Sequence, residues 1–213
     1  MIELFTTAFV TFAVIIDPPG NAPIFASLTR DATRDARRRM AIRACLVAWA
    51  ILIFFALLGE PMLEALGITL PAFRIAGGIM LFMIALEMVF EKRTERREHR
   101  AQELEGTPEA EDVSIFPMAI PMIAGPGTIA AMMLFTARAT GTTEFLVITG
   151  AMTLVILITL GALLAAGPLM RMLGHKVEAM ITRLLGVILA ALAAQFVVDG
   201  LSASFPILSP GTA

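Results

Sequence analysis

Cysteine is almost missing from this chain. Cys45 is the only one in 213 residues, so no internal disulfide, CxxC redox pair or thiolate metal cluster can form. Histidine is nearly as scarce, and His99 and His175 both fall in charged stretches between apolar runs. That leaves no histidine at membrane depth to pair with a serine or ligate a metal. HExxH, nucleophile-elbow and ATP-binding motifs are absent as well. Enzymatic hydrolysis and primary active transport are therefore not expected of this chain, and neither is a metal or organic cofactor. Tyrosine is lacking altogether and the single tryptophan, Trp49, sits inside an apolar run. The aromatic belts that anchor many spans at the lipid headgroups are thus weak, and arginine must supply the anchoring. Charge is short too: 16% of residues are charged against 58% hydrophobic, with a net charge of -2. So few charges, gathered between long apolar stretches, exclude an ordinary soluble domain.

What is present is a series of apolar runs long enough to cross a bilayer. A hydrocarbon core of roughly 30 Å takes about 20 helical residues. Runs of that kind lie at 2–28, 40–59, 70–90, 115–137, 145–169 and 179–198. The start, Met1-Ile2-Glu3-Leu4, has no basic region of the signal-peptide type and reads as the beginning of the first span. The expected fold is an all-α membrane protein of six transmembrane helices. If spans alternate, the stretches 30–39, 91–114 and 170–178 share one side and carry Arg30, Arg34, Arg37, Arg38, Arg39, Lys92, Arg93, Arg96, Arg97, Arg100, Arg171 and Lys176. The opposite side has Arg138 alone, with Glu60 and Glu64. This asymmetry places the basic loops in the cytoplasm of a bacterial-type inner membrane and both termini outside. The same orientation accounts for the basic residues, so nucleic-acid binding is not expected.

An internal repeat is visible in the helix breakers. A shift of 107 residues brings Pro19-Gly20 onto Pro126-Gly127, Pro61 onto Pro168, and Leu66-Gly67 onto Leu173-Gly174. With a two-residue gap, Arg74, Gly77, Ile79 and Ala85 then meet Arg183, Gly186, Ile188 and Ala194. The chain divides accordingly into a three-helix repeat at 1–90, a charged cytoplasmic linker at 91–114, and a second three-helix repeat at 115–213. Three spans per half invert the second half relative to the first. Inverted repeats with interrupted helices are the pattern of secondary transporters, with the site near mid-membrane at the breaks.

The first break reads Ile16-Asp17-Pro18-Pro19-Gly20-Asn21-Ala22-Pro23. An ionisable residue this deep in a span is costly and marks function. Asp followed by Pro is also a standard helix start, so a capping role stands beside a binding one. Pro23 removes the helical partner of the Pro19 carbonyl, and Asn21 offers a side-chain amide in the break. The second break reads Pro121-Met122-Ile123-Ala124-Gly125-Pro126-Gly127-Thr128, with Ala124 in the place of Asp17. Its helix starts without a carboxylate, leaving the amides at Gly125, Gly127 and Thr128 suited to an anion. An ammonium near Asp17 and a carboxylate near Gly125–Thr128 together describe a zwitterion. The candidate substrate-binding residues are Asp17, Gly20, Asn21, Gly125, Gly127 and Thr128, with Asp17 also the candidate for proton coupling. Arg74 and Arg183 read as anchors near opposite membrane faces, Glu87 as interfacial, and Gln195 as either cavity-facing or a link between helices.

These two motifs, Asp17-Pro18-Pro19-Gly20-Asn21-Ala22-Pro23 and Pro121-Met122-Ile123-Ala124-Gly125-Pro126-Gly127-Thr128-Ile129, resemble the signatures of the MarC family of membrane proteins. The resemblance covers essentially the whole chain in length, span count and motif order. It implies a relation to the LysE exporter superfamily and transport of glycine, alanine, serine or threonine, coupled to protons. The expected partners are a small zwitterionic substrate and the lipid bilayer, and a homo-oligomer is left open. The competing readings are an exporter of other small metabolites and a channel-like membrane protein, although one central carboxylate offers little of a polar pore.

Overall fold

The apolar runs form helices, as they must where no water reaches the backbone. A computed structural model describes residues 1–92 and 112–205, and only the backbone for 167–179. Among the described residues the order is α1 (Ile2–Ile16), α2 (Pro18–Leu28), α3 (Arg34–Ala65), α4 (Leu70–Val89), an irregular segment (Ser114–Ile123), α5 (Pro126–Thr136), α6 (Thr142–Leu164) and α7 (Ala166–Ser204). α1 and α2 together make one 27-residue apolar span; α3, α4, α6 and the Met180–Ser204 part of α7 make four more. The irregular segment and α5, bent by 54° at their junction, make a sixth where the pair counts as one span. Five of the expected spans are thus present, and the one expected at 115–137 is this bent pair.

Local chemistry sets the element boundaries. The Thr33 hydroxyl accepts from Ala36 N–H to start α3, and the Thr69 hydroxyl accepts from Ala72 N–H to start α4. α3 ends where Gly67 turns into the left-handed region at φ 68°. In the irregular segment Phe116 and Ile120 have extended backbones. Each precedes a proline, whose ring disfavours the helical region for the residue before it.

Two expected loops are helical. Residues 34–39 open α3 as its first turns, and the backbone of 170–178 runs on inside α7. Charged residues need not end a helix; they need only reach water, and helices longer than the bilayer carry them out of it. The linker residues Arg93, Arg96, Arg97 and Arg100, with His99, lie outside the described residues. So do the side chains of Pro168, Arg171, Leu173, His175 and Lys176. The expected match of Leu66-Gly67 with Leu173-Gly174 is not kept in the backbone, because Gly67 ends a helix while residue 174 lies within one.

α4 and α7 pack antiparallel along their length through small residues. A Cβ on Gly78 would lie 2.9 Å from the Ala193 carbonyl oxygen and 2.7 Å from Val197 Cγ2. A Cβ on Gly186 would lie 3.1 Å from the Ala85 carbonyl oxygen and 3.1 Å from Val89 Cγ2. The two contacts are reciprocal, with Gly78, Ala85 and Val89 standing to α7 as Gly186, Ala193 and Val197 stand to α4. In this packing Gly186 is placed as Gly78 is and Ala193 as Ala85 is, whereas the sequence match sets Gly186 on Gly77 and Ala194 on Ala85. Gly77 faces Leu134 and Ala130 of α5 instead. Small residues let backbones approach where dispersion, and not water, drives association. Elsewhere large apolar side chains point outward, Leu46, Leu57, Met83, Leu146, Leu157 and Leu184 among them. A surface so apolar belongs in lipid.

Candidate functional site

The first break is a single left-handed residue. Asp17 has φ 58° and ψ 67°, ending α1 with its N–H on the Ala13 carbonyl and starting α2 with Pro18 and Pro19 behind it. Asp is one of the few side chains that tolerate this region. Its carboxylate, with the residue only 2% exposed, accepts from Gly20 N–H at 3.2 Å. A Cβ at Gly20 would collide with Asp17 Oδ2. Gly20 is therefore glycine so that Asp17 can fold back over the helix end. The break also strands the Ile16 carbonyl, and Asn21 Nδ2 donates to it at 2.7 Å. The other side of that amide, Asn21 Oδ1, is buried and has no hydrogen-bond partner among the described residues. An unmet acceptor at this depth costs about 1–3 kcal/mol.

The second break solves the same problem with a different donor. Thr128 Oγ1 donates to the Ile123 carbonyl at 2.9 Å, five residues back, as Asn21 does to Ile16. Under the 107-residue shift Thr128 stands on Asn21 and Ile123 on Ile16. Gly125 takes the N-cap position with an extended backbone, and no side chain caps α5. A Cβ at Gly125 would strike the Pro121 carbonyl, and one at Gly127 would strike Ile84 Cδ1 and touch Ile15. The close approaches that these glycines permit are thus to the chain itself. Ile15 lies two residues before Asp17, so the Gly127 contact brings the two breaks together.

All six expected site residues therefore lie at two adjoining breaks in the interior. Asp17, Asn21 and Thr128 are buried, with Gly20 and Gly127. Sequence reasoning missed the paired side-chain-to-carbonyl bonds. The available signal was a donor side chain five residues after each isoleucine in both motifs. It also treated Arg74 and Gln195 separately and passed over Asp199, whereas the start of α4 lies against the part of α7 that carries Gln195 and Asp199. Gln195 Nε2 donates to Asp199 Oδ1 at 2.6 Å, a link within α7. At the other end of the pair Arg183 bridges to Glu91 at 2.5 Å. Trp49 is an interhelical tie, donating from Nε1 to Thr153 Oγ1 of α6.

Outside the spans, one carboxyl is shifted. Ser114, whose N–H donates to Asp112 Oδ1 at 3.0 Å, and the Arg43 guanidinium hold Asp112 below the usual carboxylate range, against the opposing effect of its partial burial. Among the described residues no group of three or more His, Cys, Asp or Glu side chains is placed to hold a metal.

The model of the family described as MarC family integral membrane protein matches residues 2–205. The chain belongs to the MarC family of integral membrane proteins. Relatives of this MarC protein match end to end. A UPF0056 membrane protein of Methanocaldococcus jannaschii is 38% identical over 94% of this chain and 97% of its own length. YvbG, a UPF0056 membrane protein of Bacillus subtilis, is 32% identical over 98% of this chain and 99% of its own. YhgN, a UPF0056 inner membrane protein of Escherichia coli, is 34% identical over 92% and 94%. No solved structure matches the chain.

Proposed function

We propose that this MarC protein is a proton-coupled secondary transporter of small neutral amino acids of the glycine, alanine, serine and threonine class. The reading rests on one observation above the others. A fully buried amide oxygen, Asn21 Oδ1, has no partner among the described residues, at a helix break that adjoins a second break with an uncapped helix start. In this reading Asn21 Oδ1 accepts from the substrate ammonium, and the amides of Gly125, Gly127 and Thr128 hold its carboxylate at the positive end of α5. Asp17 supplies the negative charge that favours an ammonium nearby and the proton-binding group, while Gly20 keeps it folded over α2. Ile15, Ile84 and Leu81, crowded around Gly127, favour a short side chain.

The two halves work as inverted repeats that alternate access to the breaks. The reciprocal packing of Gly78 and Gly186, and the matched bonds of Asn21 and Thr128, support this. The basic ends face the cytoplasm, and the 66–69 and 137–141 loops, with both termini, face outside. A relation to the LysE exporters fits the same plan.

The test is uptake of labelled alanine, and of larger amino acids, into proteoliposomes with and without a pH gradient. Saturable, gradient-dependent alanine uptake is expected, lost in Asn21→Leu and uncoupled or lost in Asp17→Asn. Flux that neither saturates nor responds to the gradient would mark a channel. Proton-driven transport at full rate by Asp17→Asn would remove the coupling role.

A further inference from the structure

The end of the α4–α7 pair that carries the 137–141 loop holds a second polar cluster, away from the breaks. Asp199 is spent on both oxygens: Arg138 bridges to Oδ2 at 2.5 Å and Gln195 donates to Oδ1 at 2.6 Å. Arg138 is held in place from below as well, its guanidinium 5.1 Å from the centre of the Phe196 ring. Arg74 stands at the start of α4, which lies against this part of α7: a Cβ on Gly200, next to Asp199, would be 2.9 Å from the Pro71 carbonyl oxygen and 3.1 Å from Ile75 N. Arg74 Nε is buried without a hydrogen-bond partner, and no acceptor among the described residues serves its guanidinium. Asp199 is thus bonded to Arg138 and Gln195, and among the described residues Arg74 has no carboxylate bonded to its guanidinium. Arg138 and Asp199 keep 35% and 29% side-chain exposure, so water and small solutes reach the cluster. Below it, Phe196 packs edge-on to Phe135, and Phe135 lies 5.7 Å from Phe12, one turn before Ile16. The cluster thus sits at the head of an aromatic column that leads to the first break.

We propose that Arg74 and Arg138 form a docking site for a small carboxylate at this face of the membrane, where the substrate's carboxylate is held before or after it occupies the breaks. A planar carboxylate matches the guanidinium fork. Asp199 competes for the same donors, keeping the site weak enough to release what it holds. The assignment of the carboxylate to a transported amino acid rests on the function proposed above; the anion site itself does not.

The experiment is thermal unfolding of the whole protein in phosphatidylcholine nanodiscs, titrated with sodium acetate against sodium chloride at equal ionic strength. Wild type is expected to gain a saturable stabilisation with acetate and none with methylammonium. Arg74→Gln should weaken apparent acetate binding by roughly tenfold, Arg74→Lys by less, and Asp199→Asn should tighten it. In proteoliposomes Arg74→Gln should raise the KM for alanine with the maximal rate kept. Acetate binding by Arg74→Gln equal to wild type overturns the proposal, as does stability that follows anionic lipid content and ignores acetate, which marks a headgroup phosphate site. If Arg74→Gln does not fold, Asp199→Asn decides, since unchanged or weaker acetate binding there also overturns it. Wild type that binds acetate but moves no alanine would sink the transport reading and leave the anion site standing.

Discussion

Replacing Gly20 with alanine tests the geometry of the first break most directly. A Cβ there would lie 2.8 Å from Asp17 Cγ and 3.0 Å from Oδ1, and would collide with Oδ2. The backbone cannot yield, because Asn21 N–H is bonded to the Asp17 carbonyl at 3.0 Å and Asp17 N–H to Ala13 at 3.0 Å. The carboxylate must rotate off the start of α2. Losing the cap leaves the buried Gly20 N–H without its acceptor, which costs about 1–3 kcal/mol. Alanine's helix preference returns at most about 1 kcal/mol. A net loss of up to about 3 kcal/mol is expected, read as a lowered midpoint in detergent unfolding followed by far-ultraviolet circular dichroism.

A double-mutant cycle separates this cause from others. With Asp17→Ala already made, nothing remains for the new methyl to displace, so Gly20→Ala should then cost nothing or stabilise slightly. The expected coupling is above about 1 kcal/mol, beyond the roughly 0.3–0.5 kcal/mol within which independent sites add. Additive effects would refute the reasoning. Asp17→Asn is the companion variant: asparagine caps as well as aspartate, so stability should hold while any proton-linked activity falls.

Thr128→Val removes the donor to the Ile123 carbonyl and should cost about 1–3 kcal/mol, with Thr128→Ser close to neutral; the same unfolding assay reads both. Gly78→Ala meets the Ala193 carbonyl and the Val197 amide, backbone atoms that cannot move aside, and should destabilise by about 1–3 kcal/mol. Gly150→Ala, with nothing within 4 Å, should be neutral or stabilising in that assay. Asp112 is held below its ordinary value of 3.8, so its contribution is present above that pH and fades as pH falls through its lowered value. Both partners of the Arg43 bridge are about half exposed, so Asp112→Asn should cost under about 1 kcal/mol near neutrality. That difference should vanish in acid, as a pH series of unfolding midpoints for the two proteins will show.

The six spans were legible because each satisfies one requirement, about 20 apolar residues, that local composition displays. Asp17 as a helix start was legible for a similar reason: Asp-Pro is a local signal. What composition could not display was the partner of each glycine. Gly77 and Gly186 share a letter but face different neighbours, and only the packing reveals that Gly78 is the one set against α7. Charged stretches misled in a related way, since Arg34–Arg39 were read as loop when Thr33 had already begun a helix. The cluster around Asp199 was hidden because Arg74, Arg138 and Asp199 are far apart in sequence and are brought to one end of the molecule only where α4, the 137–141 loop and α7 converge.

The two breaks show why similar backbone geometry need not bring the same chemistry. Both must return a donor to a carbonyl stranded in the interior, and both do so from a side chain five residues on. Thr128 has one hydroxyl proton, and donating it to Ile123 meets that need with a small side chain. Asn21 spends an N–H on Ile16 and is left with an amide oxygen that the fold does not serve. An apolar residue at position 21 would spare that oxygen but strand the Ile16 carbonyl, and threonine would satisfy the carbonyl without leaving an amide acceptor behind. Keeping asparagine in a place where threonine serves the other half retains an acceptor that costs stability unless something donates to it. The same half carries Asp17, whose negative charge favours a cation as that donor, while the other half begins its helix with amides and no carboxylate. The polarity of the pair comes from those two substitutions, asparagine for threonine and aspartate for alanine, on an otherwise shared break.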